Sequence, residues 1–262
     1  MIYIDELKKY KIKTVLHLAA YTCVRESKKN PKIYKKNNLI NQKIFFEKII
    51  NLGIKRIVFA SSYSAQGYNS NKKEKFSPYA KYKYEIEKYL KKISKKNNVK
   101  IIILRYPNIA GASTKGRLGE KNEKISRIFP TFYKNIIRNK KTLIYYDFEK
   151  KIFPSRSYIH IEDIARLNIK AINYLDKMNK NFLLININNK VRYSNKKIFD
   201  FMNKKLKKGK FEIKKIEKIE KIKPSNINDY SLLKTINWKP KNSSIMNIIN
   251  TNLKWFRYIY KA

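Results

Sequence analysis

The chain has 262 residues, with 62 Lys+Arg against 19 Asp+Glu and a formal net charge of +43. At 43% apolar composition it can bury a core, which excludes a disordered tail, and the length suits one domain with a smaller lobe. The single cysteine, Cys23, excludes an internal disulfide. No apolar stretch approaches the roughly 18 residues of a membrane helix, and the N-terminus lacks the basic start and apolar run of a signal peptide, so a cytoplasmic setting is expected.

Only ten of the bases are arginines, and the 52 lysines are spread over nearly every segment. Readers of nucleic acid lean on Arg for bidentate contacts. With Ile and Asn abundant and Ala scarce, the charge reads as a codon bias toward A and T on solvent faces. No nucleic-acid or membrane partner is expected from it, although binding of a polyanion stays open as an alternative.

In chain order, Thr14 to Leu18 reads as a buried strand. Pro31 to Leu52 reads as a helix with Ile33, Phe45, Ile49 and Leu52 on its inner face, stopped at Gly53. Residues 56–60 are a strand, Pro78 to Lys96 a helix with proline in its first turn, and Lys100 to Tyr106 a strand. Helix, strand and helix follow near 124–139, 142–146 and 161–176, then a strand at 182–187. The remainder reads as a helix at 194–207, a strand at 211–216 and a helix at 242–261. Strands alternating with helices predict an α/β fold, a parallel sheet with helices on both faces.

Ligands of such sheets bind at the carboxyl ends of the strands. There the chain places Ala19-Ala20-Tyr21, Ser61-Ser62-Tyr63-Ser64, and Pro107-Asn108-Ile109-Ala110-Gly111, all rich in small or hydroxyl-bearing side chains. Ser62 is followed by Tyr79, and Lys83 stands one helical turn later. Positions i and i+4 share a helix face, so a phenol and an ammonium can converge on a strand-end hydroxyl. An ammonium about 4 Å from a phenol is worth roughly 4 kcal/mol at an effective dielectric near 20, enough to bring a tyrosine toward neutral pH. The Tyr-x-x-x-Lys spacing alone is weak: six of the 20 tyrosines show it, and only Tyr79 opens a helix that follows a strand ending in serines. A solvated helix face is the competing reading. His17 and His160 read as structural histidines.

The motifs resemble, in order, those of the extended short-chain dehydrogenase/reductase family of NAD-dependent epimerases and dehydratases, and within it the 4-epimerases of nucleotide sugars. They are Val15 to Ala20; Val24-Arg25-Glu26-Ser27 with Pro31, Tyr34, Asn37 and Asn38; Phe59 to Ser62; Ser77 to Lys83; Leu104 to Ala112; Arg156 to Ala165; and Asn237 to Pro240. The resemblance implies a Rossmann-like sheet formed by 1–107 and 157–190, with a substrate-binding lobe formed by 108–156 and 191–262. It implies that Tyr79, as phenolate, takes the 4-hydroxyl proton of a UDP-sugar while NAD takes the C4 hydride and returns it to the other face, interconverting UDP-glucose and UDP-galactose. Lys83 would lower the tyrosine pKa and hold the cofactor ribose, and Ser62 would bridge the reacting oxygen. Leu18, Ala19, Ala20, Asn37, Ser61, Tyr79 and Tyr106 would line NAD, and Asn108 and Arg156 would hold the diphosphate. Asn108 as a turn cap and Arg156 as a surface base are the plainer alternatives. Family dimers imply a homodimer through helices 31–51 and 79–97. No Asp-Glu pair follows Ser62, which favours an epimerase over a dehydratase.

The chain also departs from the family. Its six glycines (53, 67, 111, 116, 119 and 209) include no Gly-x-x-Gly-x-x-Gly phosphate loop, and none precedes residue 53. The comparison implies an N-terminally truncated sheet, beginning at the helix before the family's fourth strand. Gln66, Thr22, Arg127 and Lys223-Pro224 replace residues usual in the epimerases, and the Ser62–Tyr79 interval is shorter. An inactive remnant or interaction module of the same fold is therefore the other reading.

Overall fold

The computed structural model describes residues 4–68, 76–121, 127–187, 189, 191–216 and 230–260. A 3-10 helix at Ile4–Lys9 precedes β1 (Val15–His17), α1 (Val24–Lys29), α2 (Pro31–Lys35), a π-helical turn (Lys36–Ile40) and α3 (Asn41–Asn51). Then come β2 (Arg56–Ser62), α4 (Tyr63–Gly67), α5 (Pro78–Lys96), β3 (Lys100–Tyr106), β4 (Asn108–Ala110), α6 (Ile128–Ile137), β5 (Lys141–Asp147), β6 (Ser155–His160) and α7 (Ile161–Lys177). The chain closes with β7 (Phe182–Asn186), β8 (Arg192–Ser194), α8 (Asn195–Leu206), β9 (Lys210–Ile216), α9 (Tyr230–Thr235) and α10 (Ile245–Tyr260).

The chain divides into two compact units, 1–106, 167–187 and 222–238, and 107–166, 188–221 and 239–262. The division differs from the sequence reading mainly at two places. Residues 157–166 group with the second unit, where β6 pairs with β4 and β8, and 230–238 group with the first.

The first unit holds a parallel sheet in the order β1-β2-β3-β7. The inner strands β2 and β3 are nearly continuous Ile/Val/Leu/Phe runs, as strands covered on both faces must be. Phe46, Ile49, Ile57, Phe59, Ile86, Leu90, Ile101 and Ile103 form the heart of its core. α5 is set by Ser77, whose hydroxyl accepts from Ala80 N at 3.2 Å, and by Pro78 in its first turn. The expected helix over 31–52 is divided at the π turn. Ile33 is exposed, contrary to its expected inward place. Tyr34 takes that place, its hydroxyl accepting from Cys23 N at 3.2 Å and donating to Glu26 at 3.3 Å.

The second unit holds the sheet β4-β6-β8 and the parallel pair β5-β9, packed with α6, α8 and α10 around Phe132, Tyr133, Ile198, Phe199, Ile248 and Phe256. Its turn after β6 is pinned by the buried Asp163, which accepts from Asn242 N at 2.9 Å, Lys241 N at 3.1 Å and the Ser243 hydroxyl. Gly111 has φ +93, and a Cβ there would stand 2.5 Å from the His160 ring. His160 Nδ1 accepts from Glu162 N at 3.2 Å, so its Nε2 carries the proton and meets the Thr251 hydroxyl at 3.0 Å. This is a structural histidine, as the sequence reading has it.

Candidate active site

In the first unit the carboxyl ends of β1, β2 and β3 lie side by side, with His17 opposite Phe59 and Ser62 opposite Tyr106. Leu18 and Ala19 follow β1 as exposed residues, and Ala20 is half-buried. This segment is held by two side chains of the helical run that follows it. Asn38 accepts from Tyr21 N at 2.9 Å and donates to Tyr21 O at 2.8 Å, and Gln42 donates to Ala19 O at 3.0 Å. Asn37 donates to Asn38 Oδ1 at 3.0 Å.

At the end of β2, Ser62 caps α4, its hydroxyl accepting from Ser64 N at 3.3 Å and meeting the Ser64 hydroxyl at 3.0 Å. Tyr79 is buried in the first turn of α5. One turn on, Lys83 is buried, donates to Ala60 O at 2.7 Å and lies 4.6 Å from the centroid of Phe59. Burial lowers its pKa to about 8, with the Glu87 carboxylate pulling the other way. The ammonium is therefore the majority form at neutral pH and within reach of deprotonation.

Ser61 points elsewhere. Its hydroxyl donates to Glu87 Oε1 in the interior. Glu87 in turn takes a two-pronged ion pair from Arg105, Nε at 2.9 Å and Nη2 at 2.6 Å, and Arg105 Nη1 reaches Asn186 at 3.5 Å. The Ser61 hydroxyl is therefore committed to the interior. Tyr106 gives its hydroxyl to Asn168 Oδ1 at 2.5 Å, and burial raises its pKa. The sequence reading did not single out Glu87 or Arg105. The signal for Glu87 was its spacing, four residues beyond Lys83 on the same helix face.

His17 sits among Phe45, Phe46 and Phe59, with ring centroids 5.0–5.6 Å away, and its Nδ1 has no partner. Burial, and then the Lys83 charge, lower its pKa to about 4. A depressed pKa gives stability that is complete above about pH 6.5 and is lost as the pH falls toward about 4. Discounted for its partial exposure, the loss is about 2 kcal/mol. Urea unfolding of wild type at pH 4.5 and pH 7 should show it, and His17→Phe should flatten that difference. An unchanged pH dependence in the variant would remove His17 from the account.

The second unit carries the other two expected site residues on neighbouring strands. Asn108, on β4, is exposed and donates to Ser157 O at 3.2 Å. Arg156, on β6, is exposed and donates to Ser155 O at 2.9 Å. Arg192, on β8 beside them, was not singled out from the sequence, although arginines are few in this lysine-rich chain.

Residues 3–187 match the model of the NAD dependent epimerase/dehydratase family. The chain belongs to this family. A curated member, the UDP-glucose 4-epimerase of Lactobacillus helveticus, is 28% identical over 269 residues, 96% of this chain and 79% of that protein. Among solved structures, the fold superposes on the UDP-glucose 4-epimerase of Stenotrophomonas maltophila, with bound NAD and formylated UDP-arabinopyranose. That match has TM-score 0.83 and 21% identity, over 98% of this chain and 80% of that one. The Bifidobacterium longum UDP-glucose 4-epimerase, in complex with NAD+ and UDP, matches with TM-score 0.80 and 23% identity, over 97% and 79%. The chain thus spans about four fifths of these epimerase/dehydratase relatives. The strand ends fit the nicotinamide half of the family's cofactor: small residues and an open Leu18 end β1, and a buried ammonium stands beside β2. For the pyrophosphate half, the chain offers no glycine before residue 53. Among the described residues no helix is long and apolar enough to cross a membrane, and no His/Cys/Asp/Glu group could hold a metal. Lys223 and Pro224 lie outside the described residues.

Proposed function

We propose that this chain acts as an NAD-dependent 4-epimerase of UDP-hexoses, interconverting UDP-glucose and UDP-galactose in a reducing, cytoplasmic setting. The observation that carries the reading is the buried Lys83 ammonium bound to Ala60 O, one helical turn from Tyr79 and two residues before the Ser62 hydroxyl. Tyr79 removes the proton of the sugar 4-hydroxyl and gives it back, and the Lys83 charge favours the phenolate that must form. Ser62 donates to the reacting oxygen as its bond order changes. NAD, when bound, supplies a reversible hydride acceptor for the sugar's C4. Leu18, Ala19, Ala20, Asn37, Tyr106 and the Ser61 backbone would hold it, with Lys83 on its ribose. Asn108 and Arg156 bind the diphosphate of the substrate.

The relatives named UDP-glucose 4-epimerase support the choice of sugar nucleotide, and the absence of an acidic pair after Ser62 supports epimerisation over loss of water. The same reading extends to a homodimer through residues 31–51 and 79–97, where Ile40 and Ile44 are large apolar side chains left exposed. Calorimetric titration with NAD+, followed by a UDP-galactose turnover assay, tests the proposal. Saturable NAD+ binding with formation of UDP-glucose is expected. A chain that binds NAD+ without turning over UDP-galactose would overturn the epimerase reading, and one that does not bind NAD+ would overturn the cofactor assignment as well.

A further inference from the structure

β4, β6 and β8 lie side by side, and each contributes one exposed polar side chain: Asn108, Arg156 and Arg192. Arg156 stands opposite Tyr193 and Arg192 opposite Ser157, so the two arginines leave the ladder on opposite faces. Both nevertheless turn to one acceptor. Arg156 Nη1 donates to Ser155 O at 2.9 Å, and Arg192 Nη2 donates to the same oxygen at 2.7 Å, with Arg192 Nε on the Ser155 hydroxyl at 3.2 Å.

Neither guanidinium has a carboxylate partner among the described residues. Two like charges therefore meet at a carbonyl that neutralises neither. The Arg192 guanidinium is held below its ordinary range by the burial of part of the side chain and by the Arg156 charge, with Tyr158 acting in the other direction. Each fork has five donors, and the contacts above use one on Arg156 and two on Arg192. An anion with several oxygens at once satisfies the remaining donors and relieves the repulsion.

We propose that Arg192 is a second diphosphate-binding residue, forming with Arg156 and the Asn108 amide a clamp for the diphosphate of a nucleotide sugar. The nucleotide attached to that diphosphate rests on the function proposed above, whereas the anion chemistry rests on this sheet alone. A single arginine can grip only one phosphate edge bidentately, whereas two arginines about one carbonyl can engage both phosphates. Lys196 and Lys197, at the start of α8, add charge nearby in sequence but have other contacts: Lys196 pairs with Asp200, and Lys197 lies over the Tyr193 and Phe201 rings.

The test is calorimetric titration of the full chain with UDP, uridine and inorganic pyrophosphate, for wild type, Arg192→Gln and Arg192→Lys. Arg192→Gln is expected to weaken UDP and pyrophosphate binding by about tenfold, the loss of one charge-assisted contact, and to leave uridine binding unchanged. Arg192→Lys should recover only part, because an ammonium keeps the charge and loses the fork. Both side chains are exposed, so the unfolding midpoints should stay at the wild-type value. Wild-type affinity for UDP and pyrophosphate in Arg192→Gln would overturn the clamp, as would a wild type that binds neither. Arg192-dependent pyrophosphate binding in a chain that does not turn over UDP-galactose would uphold the clamp and overturn the epimerase reading.

Discussion

Replacing Tyr79 by phenylalanine is expected to lower UDP-galactose turnover by about 10³-fold, the middle of the range for a lost general acid–base, with NAD+ affinity nearly unchanged. The ring of Tyr79 is buried in the first turn of α5, and phenylalanine keeps that packing while removing only the oxygen. The effect therefore belongs to kcat. Lys83, one helical turn on, is retained in the variant, so a residual rate should not be rescued by raising the pH. The measurement is kcat and KM at pH 7 for both proteins, alongside their urea midpoints. A variant within threefold of wild type would show that another group carries the proton, and Tyr79 would revert to a core residue.

Glu87→Ala is expected to destabilise the first unit by about 3–5 kcal/mol, the usual cost of removing one partner from a buried ion pair. Arg105 is almost fully covered, and its guanidinium would lose both carboxylate contacts and keep only Asn186. The Ser61 hydroxyl would lose its acceptor too. Glu87→Gln should cost less, because an amide oxygen can still accept from Arg105 or Ser61. Replacing Glu87 and Arg105 together by methionine should cost least, because no charge is then left alone in the interior. Urea unfolding of the three variants ranks these costs. A Glu87→Ala protein as stable as wild type would mean that water reaches Arg105 and that the pair does not hold the sheet to α5.

The readings of α5 and β3 from the sequence coincide with the structure because local signals agree there: Ser77 and Pro78 open the helix, and Ile101 to Leu104 is an unbroken apolar run. The strands β4, β6 and β8 were not read. They are three to six residues long, carry Asn, Arg and Ser in place of an apolar run, and owe their existence to one another across 35 to 50 residues of chain. Ser62, Tyr79 and Lys83 were legible because a strand end and a helical spacing are local facts. Glu87 and Arg105 were not, because a charged pair destined for the interior looks, in a chain this basic, like two more surface charges. The motif places Ser61 among the cofactor contacts, and in the structure its hydroxyl donates to Glu87, a partner 26 residues away that no local pattern announces.

The π turn at Lys36–Ile40 has an angular consequence. In an uninterrupted α-helix each residue advances about 100°, so Phe46 would point about 120° away from Tyr34 around the axis. A turn that spends one additional residue reduces the offset to about 20°. Tyr34 and Phe46 are both fully buried. The helix therefore works as two rods joined by a ratchet tooth, which brings the aromatic side chains of α2 and α3 back into line. The same tooth carries Asn38, whose amide secures the chain beyond β1. Removing one residue from 36–40 would turn every side chain of α3 by about a quarter turn relative to α2, and the grip on Tyr21 would go with it.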